Sequence, residues 1–137
     1  MLSQDEYGGT KLYWAASNNR IEEAEKMIDE ANDLDIVSEL VNKGDNNGFT
    51  PLLAASRYEH HQMAKMLLNN GAEIDKAGNG GWTPLIHASF NGHLEVVKLL
   101  IAHKADVHLK DNSGETALDM ARQQGHTKVI EALQKEK

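Results

Sequence analysis

Gly81-Trp82-Thr83-Pro84-Leu85 is the stretch from which the fold can be read, because it recurs in register. It appears 33 residues earlier as Gly48-Phe49-Thr50-Pro51-Leu52 and 33 residues later as Gly114-Glu115-Thr116-Ala117-Leu118. A looser copy, Gly8-Gly9-Thr10-Lys11-Leu12, precedes the second by 40 residues. A fixed period of this length marks stacked supersecondary units, none of which can bury its apolar face alone. Four units, at about 5–44, 45–77, 78–110 and 111–137, account for nearly the whole chain, and residues 1–137 read as a single domain.

Working outward from that stretch, Thr83 is placed to cap a helix with its hydroxyl. Pro84 falls in the first turn, where a missing N–H costs nothing. Leu85, Ile86, Ala88 and Ser89 continue the helix, and Asn91-Gly92 ends it in a left-handed turn. His93 to Ile101 has the apolar spacing of a second helix. Lys104-Ala105-Asp106-Val107-His108 then leaves as an extended arm, which Asp111-Asn112-Ser113-Gly114 turns back. The reading is all-α: helix-turn-helix units joined by β-hairpin loops.

Composition narrows the function. The 137 residues are 40% hydrophobic and only 5% aromatic, so the core must be aliphatic and alanine-filled. There is no cysteine, no apolar run of membrane-spanning length and no signal-like N-terminus. A monomer in the cytosol, with no membrane contact, is the expectation. Of the net charge of −7, all is carried by residues 1–40, where ten acids face three bases. Such an acidic end reads first as a solvated helix face, and alternatively as a feature that attracts a basic partner; on either reading nucleic acid is disfavoured as a partner.

These correlated motifs resemble the ankyrin repeat family. The matching residues are Asp45, Gly48, Thr50-Pro51-Leu52, Ala54-Ala55, His60 and Gly71-Ala72 in the second unit. Gly92-His93 and Ala105-Asp106-Val107 match in the third. Asp111, Gly114, Thr116, Leu118, Ala121 and Gly125-His126 match in the fourth. The departures carry expectations too. The family histidine after Thr-Pro-Leu is Tyr13, Leu53, Ile86 and Asp119 here, so its polar tie to the threonine should be absent throughout. Gly78 replaces the turn aspartate, predicting a loose loop at Gly78-Asn79-Gly80-Gly81. Glu59 and Lys104 stand at glycine positions and should have positive φ, at roughly 1 kcal/mol each. The first unit carries a seven-residue insertion over Asp29 to Asn42, read either as a spacer or as a binding protrusion. Asp119, Thr127 and Gln134 replace apolar residues, as expected of a polar end cap.

The histidines do not suggest a metal. His60, His93 and His126 share one repeat position and would lie roughly 8–10 Å apart, too far to share an ion at ~2 Å bonds. His87 takes an apolar position and reads as a buried, hydrogen-bonded core residue. The glycine-rich Gly78–Gly81 lacks the lysine and strand of a phosphate loop. No catalytic residue, metal or cofactor is expected.

The resemblance implies a groove lined by hairpin tips and first helices, and it identifies the positions free to vary there. In this chain the candidate partner-binding residues are Tyr7, Asn46, Asn47, Phe49, Arg57, Tyr58, Asn79, Trp82, Phe90, Asn91, Asn112, Glu115, Gln123 and Gln124. Phe49, Arg57, Tyr58, Trp82 and Phe90 would form the centre of the patch, since aromatics and arginine dominate binding energy. Their alternative use is to brace the hairpins. The expected function is a non-enzymatic protein-interaction module. An acidic inhibitor or immunity-type protein for a basic target is one alternative. A substrate of hairpin hydroxylation at Asp75 or His108, as some family members are, is another.

Overall fold

The computed structural model describes residues 10–136. Their helices are α1 (Lys11–Ser17), α2 (Ile21–Asp33), α3 (Val37–Asn42), α4 (Pro51–Arg57), α5 (His61–Asn69), α6 (Pro84–Phe90), α7 (Leu94–Ala102), α8 (Ala117–Gln124) and α9 (Thr127–Gln134). Helices α1, α4, α6 and α8 pack one on the next in a first layer, and α5, α7 and α9 form a second. Among the described residues the hairpin loops are turns, without strands.

Each first helix begins the same way. Thr10, Thr50, Thr83 and Thr116 have extended backbones. Their hydroxyls accept the N–H three residues on, at 3.1, 3.2, 3.2 and 3.2 Å. Caps of this kind are each worth about 1 kcal/mol. Pro51 and Pro84 follow two of them in the first turn. At the family histidine position Leu53 and Ile86 carry apolar side chains, while Asp119 makes a different tie, to the Thr116 backbone rather than to its hydroxyl. There the carboxylate accepts the Thr116 N–H at 2.9 Å and closes a capping box. That hydrogen bond holds the Asp119 carboxyl below its usual range.

The second helices are anchored by histidine. The rings of His60, His93 and His126 meet the carbonyls of Ser17, Arg57 and Phe90, at 3.0, 2.8 and 2.9 Å. Each carbonyl is the last of the preceding unit's first helix. A carbonyl only accepts, so Nε2 must carry the proton. The repeated histidine is therefore an inter-repeat strap.

Buried residues form two clusters. One gathers Leu12, Ala16, Ile28, Leu40, Val41, Leu52, Met63 and Leu67; the other gathers Leu85, Val97, Leu100, Met120, Val129 and Leu133. Leu68 packs against both. Ala15, Ala55, Ala88 and Ala121 are wholly buried and allow the first-layer helices their close approach.

The insertion becomes part of the core. Helix α2 is extended, the chain reverses at Asp35 (φ 58), and α3 follows. Leu40 and Val41 of α3 are buried. Asn42 then ties this helix to the exit of the second unit. Its amide donates to Gly71 O at 3.0 Å, and its Oδ1 accepts from Glu73 N at 2.7 Å. Lys76 Nζ donates to Asn42 O at 3.0 Å. The segment thus bridges units, and of its apolar residues Leu34 alone stays largely exposed, at 68%.

Candidate functional site

An unbroken path of rings crosses the turns and first helices of three units. Tyr13 on α1 meets Phe49 edge-on at 6.2 Å between ring centres. Phe49 meets His87 on α6 at 5.2 Å, and His87 meets Trp82 at 5.0 Å. Trp82 in turn meets Phe90 at 5.0 Å. Separations and tilts of this kind are the favourable ones for aromatic pairs. Arg57, exposed at the end of α4, lies 5.9 Å from the Phe49 ring centre and 5.3 Å from that of Tyr58. Arg57 lines a depression of about 270 Å³ with Tyr13, Asp45, Asn47, Phe49 and Asn79.

His87 sits at the centre of the path, not in the core. It is half-buried between Phe49 and Trp82, and among the described residues its ring has no hydrogen-bond partner. Burial, with a smaller contribution from the Arg57 charge, pushes its pKa down to about 4. At neutral pH the ring is therefore uncharged, flat and available for edge-on contacts. Desolvation also raises the Tyr13 hydroxyl above its ordinary range. The sequence reading gave Tyr13, His87 and Asp45 structural places and left them out of the partner-binding candidates. The irregularity at one repeat position was the available signal: Trp14, Ala54, His87 and Met120 are equivalent, yet only the alanine is small.

The candidate residues separate into groups. Asn47, Phe49, Arg57 and Asn79 share the depression. Tyr58 is 47% exposed and reaches it through Arg57. Trp82 and Phe90 are half-buried against the core of the third and fourth units. The Trp82 indole N–H donates to the buried Asp111 carboxylate at 3.0 Å. Trp82 therefore braces the next turn, and truncating it will not leave stability near wild type, as a free surface position would. Asn46, Asn112, Gln123 and Gln124 are exposed, with the Gln123 amide donating to Glu115. Asn91 is exposed and its amide donates to His87 O at 2.9 Å. Tyr7 lies outside the described residues.

The turns differ in how they are closed. Asp45 Oδ1 accepts from Asn47 N at 2.8 Å and Phe49 N at 2.9 Å. Asp111 Oδ1 repeats this with Ser113 N at 2.8 Å and Glu115 N at 3.0 Å. Gly78–Gly81 has no such carboxylate, yet it is not simply loose. It forms a 3-10 turn tied on both sides, by Asn79 N to Asn47 O and by Asn112 N to Gly80 O, each at 2.9 Å.

Among the described residues no group of three or more histidine, aspartate or glutamate side chains could hold a metal ion. No helix there is long and apolar enough to cross a membrane. Asp75 accepts from Asp106 N at 3.1 Å, and His108 is exposed.

The chain belongs to the ankyrin repeat family. The family profile described as ankyrin repeats (many copies) matches residues 12–68, 53–101 and 91–134. Ankyrin repeats are in general protein–protein interaction modules without catalytic activity. No individual curated protein matches the chain.

Proposed function

We propose that the face carrying Tyr13, Phe49, Arg57, Tyr58, Asn79 and His87 is the protein-binding surface of this chain, and that binding is its whole function. The observation that carries this is the ring path, which runs from α1 to α6 with a guanidinium lying beside it. Exposed aromatics and arginine are the residues that most often anchor a partner. Asn47, which lines the depression, and the exposed Asn46 beside it in sequence supply polar groups of the kind found at the rim of such a patch.

The test is quantitative capture of protein by the wild type and by Tyr58→Ala and Arg57→Ala variants, compared at equal folded concentration. Each variant is expected to lose about 2 kcal/mol of binding with its thermal melt unchanged. A Lys128→Ala variant, altered on α9 and away from the ring path, should bind as wild type does. Unchanged capture by both groove variants would refute the reading.

A second reading rests on α2, whose Glu22, Glu25, Asp29, Glu30 and Asp33 are exposed. They would suit an inhibitor of a basic target. Its signature is an association rate that falls steeply with salt and is untouched by Tyr58→Ala.

A further inference from the structure

Four asparagine–glycine pairs punctuate the chain: Asn47-Gly48, Asn70-Gly71, Asn79-Gly80 and Asn91-Gly92. An asparagine followed by glycine loses its amide most readily, because glycine leaves the next backbone nitrogen unshielded and free to turn. That nitrogen must approach the side-chain carbonyl carbon. A folded chain therefore sets the rate at each pair by how firmly it holds the nitrogen and the amide.

Three of the pairs are held. The N–H of Gly48 donates to Asp45 O at 3.0 Å, that of Gly71 to Leu68 O at 3.2 Å and that of Gly92 to Ser89 O at 3.3 Å. At two of them the amide is tied as well, Asn70 Nδ2 to Met66 O at 2.8 Å and Asn91 Nδ2 to His87 O at 2.9 Å. Asn79 differs on both counts. Its amide reaches only Asn47 Oδ1, at 3.5 Å. Among the described residues the Gly80 N–H has no acceptor. Both residues are exposed, and nothing lies within 4 Å of where a Gly80 Cβ would stand.

The cause lies two residues upstream. In the neighbouring turns the N–H two places after the aspartate, at Asn47 and Ser113, donates to that aspartate's carboxylate. The equivalent N–H before α6 is that of Gly80, and the equivalent of the aspartate is Gly78. Replacing aspartate by glycine at this one turn has removed the acceptor from the nitrogen that would react.

We propose that Asn79 is a site of spontaneous deamidation, converting faster than any other asparagine of the folded chain. The Gly80 nitrogen attacks Cγ of Asn79, the bond from Cγ to the amide nitrogen breaks, and ammonia leaves a five-membered succinimide. Water then adds to one of the two imide carbonyls and breaks its bond to nitrogen, giving aspartate or isoaspartate. No other reactant is needed. Because Asn79 borders the depression beside Asp45 and Arg57, the new carboxylate changes the charge there. The isoaspartate form also lengthens the backbone between the two bonds that tie this turn to its neighbours.

The test is to age the full chain in mildly alkaline buffer, digest it with trypsin and locate the one-dalton gain by fragmentation. Fragment ions are required because Asn79 and Asn91 share the peptide between Lys76 and Lys98. Asn79 is expected to convert about fivefold to tenfold faster than Asn47, Asn70 or Asn91, the protection one hydrogen bond gives against local opening. In urea the four rates should converge. Gly78→Asp, which restores the carboxylate used by the other turns, should slow Asn79 to the rate of the other three, and Asn79→Gln should remove the early signal. Earlier conversion at another pair would overturn the proposal. So would rates already equal in the folded chain, or an unchanged Asn79 rate in a folded Gly78→Asp variant.

Discussion

The second and third repeats have the same architecture and opposite choices at four matched positions. Where the second has Asp45, Phe49, Glu59 and Gly71, the third has Gly78, Trp82, Gly92 and Lys104. In the second repeat the turn closes on its own carboxylate. In the third the turn has none, and the larger ring after it reaches forward to Asp111. Glu59 and Gly92 share a left-handed backbone, φ 63 and 71, and so do Gly71 and Lys104, at 95 and 73. The repeat thus fixes backbone conformation more strictly than it fixes residue type, and neighbours supply whatever a local substitution removes.

That dependence on neighbours is broken hardest at Asp111. Its carboxylate accepts from two turn amides and from the Trp82 indole, and it is 8% exposed. Asp111→Ala should cost about 3 kcal/mol, because it orphans donors on two repeats at once. Asp45→Ala orphans only its own turn, in a more exposed place, and should cost about 1–2 kcal/mol. Urea unfolding midpoints of the two variants decide it; equal losses would mean that the third turn does not lean on the fourth.

Trp82→Ala should cost about 2–3 kcal/mol of folding stability, somewhat less than a fully buried ring because it is half-exposed. Tyr58→Ala, at 47% exposure, should stay within about 0.5 kcal/mol. If the two melted alike, the distinction between a bracing ring and a recognition ring would be lost.

Gly92 and Glu59 sharpen the contrast in a third way. A Cβ at Gly92 would lie 2.6 Å from the His126 ring, which is itself held by Phe90 O. Gly92→Ala should therefore cost about 2 kcal/mol, through overpacking and a displaced strap. At the matched position Glu59 instead places a carboxylate 3.5 Å from His93 Nδ1. Glu59→Gly should be neutral or stabilising by up to about 0.5–1 kcal/mol as its strain is relieved. Thermal melts of both read the asymmetry directly.

His87 contributes to the pH dependence of stability. Its pKa falls from 6.5 to about 4 on folding, so the unfolded chain binds the extra proton between those values. Its contribution is present in full above pH 6.5 and is lost as pH falls towards 4. Chemical denaturation of His87→Leu beside wild type should show the variant losing less stability across that window. Identical slopes would mean that the ring is not desolvated between Phe49 and Trp82.

Much of this fold was legible because its determinants are local. A threonine three residues before the amide it caps, a proline in the next turn and a glycine at a fixed interval act within one helical turn, so spacing alone reveals them. The positive φ of Glu59 and Lys104 followed from the same register. What stayed hidden acts across repeats. The bond from Trp82 to Asp111 spans 29 residues, and the bond from Asn42 to Gly71 also spans 29. Neither leaves a periodic trace. His87 was misplaced because register assigns a position to the apolar set without showing whether its ring meets the core or two other rings. The insertion announced its apolar residues, but not the reversal at Asp35 that turns α3 back onto the structure.

The smallest effect expected is at Lys104, where the comparison with Gly71 becomes a direct substitution. Both residues leave a second helix with a left-handed backbone, and only the lysine carries a Cβ into that region. The penalty for such a residue is steric, between Cβ and the neighbouring carbonyl, and it is partly offset because glycine is freer in the unfolded chain. Lys104 is exposed, and among the described residues its side chain makes no salt bridge or hydrogen bond that glycine would lose. The net expectation for Lys104→Gly is a gain of about 0.5–1 kcal/mol, read as a raised thermal midpoint. The reverse exchange, Gly71→Lys, should lose a similar amount, since nothing lies within 4 Å of a Cβ there and backbone strain alone is at stake. If Lys104→Gly lowered the midpoint, glycine's entropy in the unfolded state would outweigh the strain, and residue choice at this corner would have to be credited with stabilising the third repeat.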